Sequence, residues 1–121
     1  IGEASQQKYI RVLEGKIIDF ALSTNPDSSD FGCVLEKKLS PSNGFVSIPP
    51  WYAHGYLCVK DSIVQYLCDG LYSADSEISI ALDAEFLEAK CSEYDLQLCM
   101  SSKDKNAPNF DECVNQFFMR L

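Results

Sequence analysis

The stretch KYIRVLEGKIIDFAL, Lys8–Leu22, holds two apolar-rich runs with little more than Gly15 between them. Runs of this length around a glycine read as neighbouring strands joined by a tight turn. Side chains alternate along a strand, so Lys8, Ile10 and Val12 share one face. If that face lines a barrel, Lys8 is a cation at its mouth.

Working outward, TNPDSSD (24–30) is a loop, because Pro26 sits among Asn, Asp and Ser, all turn formers. FGCVLEKKL (31–39) reads as the next strand and SPSNG (40–44) as its end. FVSIP (45–49), YLCVKD (56–61), SIVQYLC (62–68) and EISIALD (77–83) complete a series of short strands. Strands at this spacing predict an all-β, antiparallel sandwich or barrel, not alternating β/α units. In SIVQYLC, Val64, Tyr66 and Cys68 share a face. The C-terminus departs from the pattern. FDECVNQFFMRL places Phe110, Cys113, Val114, Phe117, Phe118 and Leu121 at helical spacing, with Asn109 as N-cap and Glu112 completing a capping box. Such a stripe covers one end of a β core or a subunit interface.

The length of 121 residues suggests one domain, able to bury a core without staples. Apolar residues make up 46% and charged residues 23%, a globular balance. The net charge of −8 argues against nucleic acid or an anionic membrane as partner. No apolar run approaches the ~20 residues that span a bilayer. Six cysteines lack any C-x-x-C pair, and most stand in apolar settings such as YLCV and QYLC. They read as reduced, buried thiols of a cytoplasmic protein. One histidine cannot supply the several His and Glu ligands that a metal centre of this kind uses, so no metal and no cofactor are expected.

That histidine, His54, lies in IPPWYAHGYLCV (48–59) between Tyr52 and Tyr56. By itself it reads as a partly buried, hydrogen-bonded side chain that caps the turn after Pro49 and Pro50, before it reads as a catalyst. Tyr66 and Lys8 are likewise ordinary when read singly: a core tyrosine and a solvated lysine.

Four segments together resemble the dTDP-4-dehydrorhamnose 3,5-epimerase family. Lys8 to Gly32 resembles its segment of a lysine, a V-x-x-G turn and a strand rich in Asp and Val. LSPSNGFVSIPPWYAHGYLCV is similar to its AHG segment, YLCDGLYSADSE to its tyrosine strand, and SSKDKNAPN to its C-terminal KD-x-x-AP turn. The matches come in family order and cover most of residues 7–115. The resemblance implies a cupin, that is, an antiparallel jelly roll with a short C-terminal helix here, and a homodimer. It also implies a dTDP-linked 4-keto-6-deoxyhexose as substrate. Protons leave C3 and C5 beside the keto group and return from the opposite face. A binding-only cupin relative is the alternative.

By the same resemblance, Tyr66 is the acid, Lys8 the enolate cation, and Asp104 the aspartate that orients the base histidine. His54 matches a substrate-binding histidine, and Glu77 and Lys103 match nucleotide-sugar contacts. Leu67 departs from the pattern, standing where the family commonly has lysine, as does Trp51, where glycine is usual. The family's base lies in an R-G-x-H strand before the lysine that matches Lys8, and no such motif stands here. The expectation is that the sequence, which opens at Ile1 without methionine, is a fragment; a complete but truncated relative is the other account.

Overall fold

Gly15 does not close a hairpin. A computed structural model describes residues 7–69, 80–81, 83–100 and 102–113, with only the backbone of Lys103, Asp104 and Cys113. The chain divides into two compact units, Ile1–Glu77 and Ile78–Leu121. In the first unit β1 (Lys8–Glu14) and β2 (Ile17–Ser23) are followed by β3 (Val34–Leu39), β4 (Val46–Ile48), β5 (Tyr52–Cys58) and β6 (Ile63–Cys68). They form two antiparallel sheets, β4-β1-β6 and β3-β2-β5. The strands expected to pair across Gly15 therefore belong to different sheets.

The physical reason lies in burial. Ile10 and Val12 of β1, Ile17 of β2, Leu39 of β3 and Ile48 of β4 form one buried cluster, with Val46, Tyr52 and Val64 against it. Two sheets facing each other bury such residues from both sides, at ~1.5–3 kcal/mol per side chain; a two-stranded ribbon cannot. Gly15 makes the crossing possible. Its φ is +93°, and a Cβ there would collide with the Asp61 carbonyl and Ser62. Ser62 Oγ accepts from Lys16 N at 3.0 Å, which ties the crossing to the turn before β6.

β2 is the centre of its sheet, and Ile17, Ile18, Phe20 and Leu22 are buried on both its faces. This explains why IIDFAL shows no alternation. β5 starts at Tyr52, not at Tyr56 as its apolar run suggests, because seven residues from Tyr52 to Cys58 pair in register with β2. His54 is thus a mid-strand residue and caps no turn. The 24–33 loop is organised by Asp30, whose carboxylate accepts from Ser23 Oγ and Tyr52 OH, each at 2.9 Å, and from Ser28 Oγ. These hydrogen bonds, that from Ser28 foremost, hold its pKa below the usual carboxylate range.

In the second unit, α1 (Ala84–Glu93) occupies a stretch for which no helix was expected. Its residues are mostly good helix formers, and Asp83 caps it by accepting from Glu85 N at 2.8 Å. It ends in a Schellman motif: Asp95 takes φ +54°, Leu96 N donates to Cys91 O and Asp95 N to Ser92 O. α2 (Ser102–Lys105) follows. α3 (Phe110–Cys113) opens with the expected capping box, Asn109 N to Glu112 Oε2 at 3.0 Å and Glu112 N to Asn109 Oδ1 at 2.9 Å. The rest of the helical stripe lies outside the described residues, as do 77–79 and Leu82 of the expected strand EISIALD. Within that stretch Ala81 makes only an isolated bridge to Asn109.

Cys33, Cys58, Cys68, Cys91 and Cys99 are free thiols. The expectation of buried cysteines holds for Cys91 alone; the other four are exposed. Cys58 and Cys68 are the last residues of their strands, beyond the buried cluster. No helix among the described residues is long and apolar enough to cross a membrane.

Candidate active site

The two sheets turn their inner faces toward each other, and the polar side chains of those faces meet at one place. On β2 and β5, Asp19 pairs with Tyr56 and Ala21 with His54. Alternation puts all four on the face that carries Ile17 of the core. Asp19 and His54 are therefore diagonal neighbours, and His54 Nε2 is hydrogen-bonded to Asp19 Oδ1. Their side chains are 6% and 2% exposed. A carboxylate buried this deeply needs a partner, and the chain's single histidine supplies it.

On the facing sheet, Ile10 pairs with Tyr66 and Lys8 with Cys68. Lys8 and Tyr66 thus share the inner face. The Tyr66 hydroxyl reaches across to His54 Nδ1 at 3.2 Å, and the two rings meet edge to face, 5.7 Å apart and at 77°. Asp19, His54 and Tyr66 form one hydrogen-bonded chain running from a buried carboxylate to a half-exposed phenol. With Asp19 ionised, Nε2 carries the hydrogen and donates to Asp19; Nδ1 accepts from Tyr66. Both ring nitrogens are engaged by protein. Burial, reinforced by charge on Tyr56, Asp19 and Cys68, pushes the Tyr66 phenol well above its ordinary pKa.

The sequence reading brings together His54, Tyr66 and Lys8 but misses Asp19. Its signal was present: an acid inside the apolar run KIIDFAL. Lys103 and Asp104 lie in α2, in the other unit, with side chains outside the described residues; Glu77 itself lies outside the described residues. Among the described residues no three His, Cys, Asp or Glu side chains converge as a metal site.

The family model for dTDP-4-dehydrorhamnose 3,5-epimerase matches residues 1–112. The chain belongs to this family. The Escherichia coli K12 dTDP-4-dehydrorhamnose 3,5-epimerase is 30% identical over 115 residues, 93% of this chain and 62% of that protein. The Elizabethkingia anophelis epimerase structure superposes with a TM-score of 0.75 at 31% identity, over 93% of this chain and 62% of that one. The Legionella pneumophila 3,5-epimerase, solved with dTDP-4-keto-L-rhamnose, gives 0.72 at 27% identity, over 98% of this chain and 61% of that one. The fold is the epimerase jelly roll of the cupin class, as the resemblance implies. The chain spans roughly three fifths of the length of these relatives. Its two departures from the family pattern lie away from the inner faces. Leu67 pairs with Tyr9 on the outer side, 47% exposed, and Trp51 is half exposed before β5.

Proposed function

We propose that this protein epimerises a dTDP-linked 4-keto-6-deoxyhexose at C3, C5 or both, and that Tyr66 returns the proton. The observation that carries this reading is the Asp19–His54–Tyr66 chain beside Lys8 on the inner faces. Transfer of the proton next to the keto group to a base histidine, as the family resemblance implies, leaves an enolate. Lys8 is the cation that stabilises its oxygen. When the enolate's electron pair takes the Tyr66 proton, the O–H bond breaks, a C–H bond forms and the carbonyl is restored. The charge left on the phenol oxygen lies beside His54 Nδ1, which carries no hydrogen in this tautomer, so the phenol takes its proton back from solvent, to which its half-exposed side chain is open.

His54 does not face the carbon. One nitrogen is held by Asp19 and the other by Tyr66, so its task is to hold the acid in place. The sugar nucleotide is the partner in this reading, Lys103 and Glu77 its further contacts, and Asp104 the orienter of the abstracting base. The homodimer and the cytoplasm are the expected setting.

The test is deuterium uptake from D₂O at C3 and C5, followed by NMR on the product of the complete reading frame. Exchange with inversion is the expected outcome. Binding of dTDP-sugar without exchange would make the protein a sugar-nucleotide binder, and failure to bind would overturn both readings.

A further inference from the structure

We propose that Tyr56 is a positioning residue for Tyr66: its ring holds the Tyr66 ring against His54, keeping the phenol hydroxyl on line with Nδ1. The inference rests on the reading of Tyr66 as proton donor and adds what keeps that donor in place.

The topology creates the need. β5 and β6 are consecutive in the chain, but each is the edge strand of a different sheet. No backbone ladder joins them; the aromatic side chains of their inner faces do. The Tyr66 ring lies 5.7 Å from His54 and 6.1 Å from Tyr56, and the His54 and Tyr56 rings are 6.3 Å apart, a closed triangle of three rings. Tyr66 is 41% exposed. Among the described residues its hydroxyl has one hydrogen bond, at 3.2 Å, toward the long end of the O–H range. One such contact leaves the ring free to turn about its side-chain torsions, and Tyr56 closes the side that His54 does not. Tyr56 is itself fixed, because its backbone pairs with Asp19 on the central strand. Among the described residues its own hydroxyl has no hydrogen-bond partner, so the ring carries the role.

The distinction from mere packing is chemical. A misplaced Tyr66 fails to protonate the far face, while abstraction and return from the near face continue. That yields exchange without inversion. The experiment compares the wild type, Tyr56→Phe and Tyr56→Ala in D₂O with dTDP-4-keto-6-deoxyglucose, scoring deuterium uptake and inversion separately. Tyr56→Ala should raise the ratio of exchange to inversion by about 10²-fold, the loss typical of an ångström-scale misplacement. Tyr56→Phe should restore the wild-type ratio. A second arm needs no activity: the nuclear Overhauser contact between the Tyr66 and His54 rings should persist in Tyr56→Phe and vanish in Tyr56→Ala. A contact retained in Tyr56→Ala, or an unchanged ratio, overturns the proposal. A wild type that neither exchanges nor inverts sinks the epimerase reading instead, and the ring contact still decides the role of Tyr56.

Discussion

On the β2–β5 side of the cleft, Asp19 and His54 are sealed from water, and each satisfies the other. On the β1–β6 side, Tyr66 is half exposed and Lys8 is half buried, neither locked by an ion pair among the described residues. One wall is built as core and the other as a surface that a ligand can reach. The difference assigns the tasks. A buried pair is costly to break and suited to orienting; an open phenol and ammonium are cheap to alter and suited to touching substrate. Substitutions on the sealed wall should therefore cost stability, and those on the open wall should cost turnover.

The sharpest attempt to break this comparison is Tyr66→Phe. It should lower the inversion rate by ~10²–10⁴-fold, the usual worth of a positioned acid, with the urea midpoint nearly unchanged. Lys8→Met comes next, at roughly 10²–10³-fold in turnover, as for removal of one enolate-stabilising donor, again without loss of fold. A large fall in the urea midpoint for either would erase the contrast.

His54→Ala tests the other wall. It strands a buried carboxylate and should cost about 3–5 kcal/mol in urea denaturation. Replacing both partners, with Asp19→Leu and His54→Leu together, should recover most of that loss. If the double variant is as unstable as the single one, the pair is not the seat of the effect. The smallest effect concerns Asp30. Its folded pKa is depressed, so its contribution is present above the ordinary carboxylate value of ~3.9 and lost as pH falls through the lower folded value. Asp30→Asn should remove that acid-limb dependence, read by circular dichroism between pH 5 and 2, while leaving turnover near neutrality intact.

How much of this was legible can be followed at particular residues. The strands were readable because β-branched runs and turn residues alternate from Lys8 to Cys68, and the inner face of β1 and β6 followed from period two alone. Sheet membership was not, since nothing local in EGK states whether a glycine turns a strand back or carries it to a facing sheet. That depends on where Ile10 and Ile17 find company. The boundary of β5 was missed for a related reason: the proline pair signals a turn locally, but pairing with β2 sets where the strand begins. α1 was overlooked although AEFLEAKCSE carries helix formers and an Asp cap. At the site, Lys8, His54 and Tyr66 were recognised by motif. Asp19 needed a physical question instead, namely what neutralises an acid inside IIDF.

The crossing at Gly15 also governs how this chain can fold. Every other pair of consecutive strands is split between the sheets, so among the described strands only β2 and β3 pair across a single loop. Lys8 pairs with Ile48 and then Cys68, and the second partner of Ile17 is Cys58. Contacts this distant in sequence mean high contact order, so closure should come late and on the millisecond-to-second scale. During synthesis β1 would lack both of its partners until Val46–Ile48 had emerged from the ribosome, and its second partner until Ile63–Cys68 had followed.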